Sequence, residues 1–261
     1  KGVLRLAAAK KRNLDPVVSY LVAATNGMMY RHLVGELQAY PIPELPLPDA
    51  EGQQLLDIGC SWGRWCIAAA RKGYQPVGLD PSLGAILAAK RVAKQLEVKI
   101  RFIVGDGRRL PFKDKSFPVV FSYSVIQHFS YDDALQTIRE VARVLCPTGA
   151  SLIQLPNAFG IRCLFNQARR RFREPVGFEV RYWTPHRLRK TFESLIGDTK
   201  LSADCYFGIG LQPTDIYMMP FIKKNLIRAS ELVKMLSERI SFLTALADSI
   251  WAKSIRTDRP C

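Results

Sequence analysis

Histidine is scarce in this 261-residue chain, with three in all, and the six cysteines (Cys60, Cys66, Cys146, Cys163, Cys205 and Cys261) are scattered. None of these cysteines belongs to a CxxC pair or has a neighbouring histidine, so the ligand spacing of a zinc site is missing and no metal is expected. They read as reduced packing residues of a cytoplasmic protein. Long apolar runs are also lacking. The longest near the start, 17–30, is interrupted by Thr25-Asn26-Gly27 and is too short to span a bilayer. Nothing resembles a cleavable signal with a small-residue site, and a first residue that is Lys rather than Met leaves an upstream segment open. No internal repeat or low-complexity block is visible.

Acidic residues are the minority, 23 against 38 Lys and Arg, for a formal net charge of +15. Such an excess implies affinity for something anionic: a phosphorylated small molecule, nucleic acid or an acidic membrane surface. The charge is uneven. Residues 159–190 carry nine Arg and Lys against Glu174 and Glu179, including Arg169-Arg170-Arg171-Phe172-Arg173. With 48% hydrophobic residues the composition is otherwise that of an ordinary globular chain, long enough for one sizeable core.

Short apolar runs followed by turn residues, at 54–58, 76–79, 100–104 and 119–122, read as buried strands. Between them, 65–72 and 83–96 have small and apolar residues at helical spacing. A helix over 131–145, with Asp132 and Asp133 in its first turn, ends at Cys146-Pro147-Thr148-Gly149, and a fifth strand follows at 150–155. Thr184-Pro185 opens a helix that runs to about Ile196 and stops at Gly197. Two more strands are expected at 201–208 and 249–256, with a helical insertion near 226–238.

The expected fold is therefore α/β: a Rossmann-like, doubly wound, mostly parallel seven-stranded sheet with helices on both faces. N-terminal helices precede it, and helical insertions follow strands 5 and 6. An N-terminal helical cap and Pro-rich connector occupy 1–48. The Rossmann-like domain fills 49–261, with insertions near 158–180 and 213–247. Ile222, Leu226, Ala229, Val233, Leu236, Ile240 and Leu243 alternate by four and three, a pattern read here as a helix lying on its own domain rather than as a coiled-coil seam.

Asp57-Ile58-Gly59-Cys60-Ser61-Trp62-Gly63 follows the first strand and enters a helix. Its glycines let the backbone turn and approach a ligand, and the helix N-terminus offers free N–H groups. By itself such a turn is a weak signal. Asp80, ending the second strand before Pro81, adds an acid placed to accept from two ribose hydroxyls. Asp106, ending the third strand before Gly107, could accept from an adenine amino group. The alternative is that each acid caps the helix behind it. A nicotinamide fingerprint is disfavoured, because Gly59 and Gly63 are separated by three residues and no third glycine follows.

Together with Gly78-Leu79-Asp80-Pro81-Ser82, Gly105-Asp106-Gly107-Arg108-Arg109-Leu110-Pro111-Phe112 and 116–129, this loop resembles the class I S-adenosylmethionine-dependent methyltransferases, in the group related to the small-molecule and quinone enzymes. The resemblance covers about 54–156. It implies S-adenosylmethionine as cofactor, with Asp57, Gly59, Cys60, Ser61 and Gly63 around the methionine portion, and Asp80 and Pro81 at the ribose. It further implies Asp106 and Gly107 at the adenine, and Ser122 and Tyr123 flanking the methionine end. The family usually has Gly where this chain has Ser61, and Asp where it has Pro118.

Methyl transfer from a sulfonium is an in-line displacement that needs a base only if the acceptor is protonated. His128 is the candidate base, with a hydrogen bond to a neighbouring carbonyl as its structural alternative. Arg162, Arg170, Arg171, Tyr182 and Trp183 are the candidate acceptor contacts. The expected activity is methylation of a small-molecule, lipid-linked or glycan-type acceptor, anionic in character, at oxygen. An RNA methyltransferase is disfavoured by the lack of an Asn-Pro-Pro-Tyr-type motif after the fourth strand. A non-catalytic S-adenosylmethionine-binding regulatory module and weak membrane-surface association of 221–256 are the remaining alternatives.

Overall fold

Alternation along β1 (Gln54–Ile58) sets the architecture, because successive side chains of a strand point to opposite faces of the sheet. Leu55 packs with Trp65, Ala68 and Ala69 on one face, whereas Leu56 and Ile58 pack with Ile138, Val141 and Phe192 on the other. Both faces are thus buried under helices, at about 1.5–3 kcal/mol for each large apolar side chain. The computed structural model describes residues 14–208 and 210–257; residues 1–13 of the expected cap and Cys261 lie outside them.

The sheet has seven strands in the order β3-β2-β1-β4-β5-β7-β6. After β1 come β2 (Gln75–Asp80), β3 (Arg101–Val104), β4 (Phe117–Tyr123), β5 (Leu145–Pro156), β6 (Gly197–Cys205) and β7 (Ser249–Arg256). The first five run parallel, and β7 inserts antiparallel between β5 and β6. The order reverses between β1 and β4, which opens a crevice at their carboxyl ends.

On one face lies α2 (Arg64–Arg71), with α3 (Leu83–Gln95) covering β2 and β3 through Ile86, Ala89 and Ala93. On the other lie α4 (Tyr131–Val144) and α6 (Pro185–Leu195). Ser82, Ser130 and Thr184 cap their helices by accepting from the N–H groups of Ala85, Asp133 and Arg187. The N-terminal α1 (Pro16–Asn26) is capped by Asp15, which also pairs with Arg91 at 2.5 Å and so fastens the cap to α3.

Several boundaries differ from expectation. Residues 146–149 do not simply end α4: Thr148 turns at φ 58° inside an early, bulged start of β5. Gly197 begins β6 instead of merely stopping a helix, since a Cβ there would lie 2.4 Å from the carbonyl of Ile255. The basic run belongs to α5 (Ile161–Arg169) and the loop behind it, the helical insertion expected after strand 5. The insertion helix is α7 (Phe221–Ser237), followed by α8 (Ser241–Thr244). Its expected contact seam is only partly its packing face: Val233 packs on the main core and Leu226 is half-buried, whereas Ile222, Leu236 and Ile240 are exposed and Ile227 and Ser230, off the seam, are buried.

Candidate functional site

Because β1 to β4 are parallel, the loop 59–63, Asp80, Asp106 and Tyr123 all leave the same edge of the sheet. Gly59 and Cys60 donate backbone N–H groups to the carbonyl of Leu79 at 2.7 and 3.1 Å, which folds the loop back over β2. Two glycines are obligatory there. Gly59 sits at φ 76° with a Cβ position 2.2 Å from Val125 Cγ2, and Gly63 at φ 83° with one 2.9 Å from Phe102. Ser61, where the family pattern has Gly, adopts φ 47°. Its N–H donates to Asp80 Oδ2 at 2.9 Å, while Ser82 N–H donates to Asp80 Oδ1 at 2.9 Å. Asp80 is therefore fixed by backbone, and each of its oxygens retains a lone pair for a ribose hydroxyl.

The other two acids are held differently. Asp57 is buried beneath the loop, accepting from the Cys66 thiol at 3.2 Å, and burial pushes its carboxyl up to about 7, helped by the neighbouring Asp80 charge. It supports the loop from below and does not line the open edge. Asp106 is gripped by Arg108, whose Nε and Nη2 donate at 3.0 and 2.6 Å, and these hydrogen bonds hold its carboxyl below the usual range. Arg108 also reaches Asp133 at 3.3 Å and spans the end of β3. Gly107 is buried, with a Cβ position 3.0 Å from Ile58. Pro81 is exposed at the start of α3, and the Cys60 side chain is buried with Cys66 and Phe102.

Ser122 is likewise internal, its Oγ donating to the carbonyl of Ile58 at 2.9 Å. Tyr123 packs its ring against Trp65 and Trp251 and donates its hydroxyl to Asp204 Oδ2 at 3.1 Å. That hydroxyl accepts from Gln212 Nε2 at 3.0 Å, joining a buried polar cluster that sequence reasoning missed. Tyr30, on a turn after α1, donates to Asp215 Oδ2 at 2.6 Å. Burial raises the Asp204, Asp215 and Tyr30 groups above their usual values.

Arg64 lies among them, 5% exposed, with its guanidinium carbon 5.9 Å from the Tyr30 ring and 5.4 Å from the Trp65 ring. Its Nε and Nη2 have no hydrogen-bond partner among the described residues. A buried cation with idle donors is costly and calls for an anion. One sequence signal was available: Arg64 is the first residue of α2, where the helix dipole disfavours a positive charge.

His128 ends a short 3-10 turn and stacks on Phe178, with ring centroids 3.9 Å apart. Nδ1 is 2.8 Å from the Phe178 carbonyl, which can only accept, so Nδ1 carries the proton and the Nε2 lone pair is left for other donors. Gln127 Nε2 lies 3.3 Å from it. Burial, with the Arg181 charge behind it, holds the imidazole below its usual value and therefore neutral at pH 7.

The expected acceptor contacts do not converge. Trp183 is buried in the main core against Tyr131, so it is not a pocket wall. Arg170 lies over Tyr182 and donates to the carbonyl of Val180, whereas Arg162 and Arg171 are exposed.

Residues 55–149, which contain the loop and all three acids, match the family model of a methyltransferase domain. This part of the chain belongs to the class I S-adenosylmethionine-dependent methyltransferases. The chain is 37% identical over 114 residues to norajmaline N-methyltransferase of Rauvolfia serpentina, covering 42% of this chain and 38% of that protein. It is 29% identical over 107 residues to ubiquinone biosynthesis O-methyltransferase of Azorhizobium caulinodans, covering 41% of this chain and 42% of that protein. The matched segments thus span well under two thirds of these relatives. Among solved structures, the YcgJ protein of Bacillus subtilis superposes with a TM-score of 0.54 at 21% identity, covering 80% of this chain and 94% of that one. At that identity the likeness concerns the fold.

Proposed function

We propose that the chain transfers a methyl group from S-adenosylmethionine to a hydroxyl oxygen of a small-molecule acceptor, a class that includes lipid-linked and glycan-type hydroxyl compounds. The residues fit the cofactor. Asp80, fixed by two backbone N–H groups, has lone pairs free for the ribose hydroxyls. Arg64 presents two idle donors to the methionine carboxylate, matching a guanidinium fork to two oxygens. Gly59 and Gly63 keep side chains out of the loop. S-adenosylmethionine, when bound, supplies an electrophilic methyl group on a positively charged sulfur.

The observation that carries the choice of oxygen is His128. Its Nδ1 is committed to the Phe178 carbonyl and its imidazole is kept neutral, so Nε2 is an oriented base at the end of β4. The acceptor hydroxyl would pass its proton to His128 Nε2 as its oxygen takes the methyl group, for which S-adenosylmethionine would be the donor and S-adenosylhomocysteine the product released. No helix among the described residues is long and apolar enough to cross a membrane. The test is release of S-adenosylhomocysteine across panels of phenols, sugars and amines, with Asp80→Ala as control. Turnover confined to hydroxyl compounds and lost in His128→Gln is expected; turnover on amines that His128→Gln leaves intact would overturn the assignment.

A further inference from the structure

Helix α7 wears its apolar residues on the outside. Ile227, Ser230 and Ser237 face inward, whereas Ile222 is 81% exposed, Met235 64% and Leu232 59%. Ile240 and Phe242 continue the exposed stripe into α8, and α5 carries a second one through Ile161, Leu164 and Phe165. The two are bolted together. Asp248, just after α8, accepts from the backbone N–H groups of Arg162 and Cys163 at 2.7 and 3.1 Å, and Asn157 donates to the carbonyls of Ala245 and Ala247. The loop after α5 adds Phe172, Val176 and Phe178, all exposed, and reaches His128 through the ring of Phe178.

Exposed arginines accompany this apolar surface. Arg162 and Arg169 lie over the Phe165 ring at 5.7 and 5.9 Å, and Arg171, Arg228 and Arg239 are also exposed. Among the described residues, none of these five takes part in an ion pair. Apolar area of this extent on an otherwise ordinary surface marks an interaction site. Its charge decides the partner. A second copy would bring a like-charged face, and nucleic acid would have no use for the aliphatic row of Leu232, Met235 and Leu236. An anionic bilayer satisfies both features, because apolar side chains enter the interface while arginines meet headgroup phosphates.

We propose that α5, the 172–178 loop and α7–α8 form a surface that seats the protein on a membrane containing anionic lipid, next to the His128 end of the site. Exposure and charge alone define this surface, whatever the methyl acceptor. The test is co-sedimentation of the full chain with phosphatidylcholine vesicles made with and without phosphatidylglycerol. Binding is expected only where phosphatidylglycerol is present, falling with added salt. Arg169→Glu with Arg239→Glu is expected to weaken it by about tenfold or more, from about fivefold for each basic residue lost. The aliphatic variant Leu232→Ser with Met235→Ser and Leu236→Ser is expected to weaken it by roughly tenfold. All five positions are exposed, so both variants are expected to melt like the wild type. Equal binding to neutral vesicles, no binding to either kind, or wild-type binding by either variant would overturn the proposal. So would a stable dimer that the aliphatic variant dissolves, or tight binding of an RNA oligonucleotide with none to vesicles.

Discussion

Replacing Arg64 by Met separates cofactor binding from stability, because in the free protein this side chain is a buried cation with two idle donors. An apolar side chain of similar length removes the cost of those unpaired groups, about 1–3 kcal/mol each. It also takes away the positive charge that lowers the nearby Asp215 carboxyl, leaving burial to push that group further up beside the Tyr30 hydroxyl. The two effects oppose each other, so the melting temperature of the free protein is expected to rise or to hold. Binding behaves otherwise. Two charge-assisted hydrogen bonds to the methionine carboxylate are lost, together about 3 kcal/mol, which corresponds to roughly a hundredfold weaker Kd. Calorimetric titration and the cofactor-induced rise in Tm report the two quantities separately. A variant that is destabilised by more than about 3 kcal/mol yet binds the cofactor unchanged would make Arg64 a structural counter-charge and not a cofactor contact.

Three further outcomes are expected. Gly59→Ala meets both positive φ and Val125, and should cost about 2–5 kcal/mol in stability measured by urea unfolding; Val125→Ala should recover the steric part and leave the conformational part, so full recovery would contradict the φ argument. Asp57, whose carboxyl is pushed up to about 7 by burial, holds its proton in the folded state where the unfolded chain has lost it, so it removes stability as pH rises from about 4 to about 7. Relative to Asp57→Asn, the wild type should lose on the order of 4 kcal/mol across that window, and parallel curves for the two proteins would contradict it. Because burial keeps the His128 imidazole below its usual value, kcat/KM should already be level at neutral pH and fall only on acidification below about 6.5, and His128→Gln should abolish that acid limb while lowering kcat by about 100-fold or more.

The order of elements and the cofactor edge were legible because they rest on short-range rules. Asp57, Asp80 and Asp106 each follow an apolar run, and a parallel sheet necessarily brings the ends of such runs to one edge. The chain could not show how each acid is used once there, since that depends on partners supplied by tertiary structure: Cys66 under Asp57 and Arg108 across Asp106. The Tyr30, Tyr123, Asp204, Gln212 and Asp215 cluster joins residues up to 185 positions apart and leaves no local pattern. Trp183 and α7 were misjudged for one shared reason. Aromatic and apolar residues at helical spacing do not reveal which face meets the core, and Trp183 went in while Ile222 and Met235 stayed out.

S-adenosylmethionine is expected to bind at the edge formed by 59–63, Asp80 and Asp106. Isothermal titration of the wild type and Asp80→Ala with S-adenosylmethionine decides this. One binding site in the wild type, weakened at least about tenfold in the variant through loss of the ribose hydrogen bonds, is the result predicted. Equal affinity in the two proteins would contradict it.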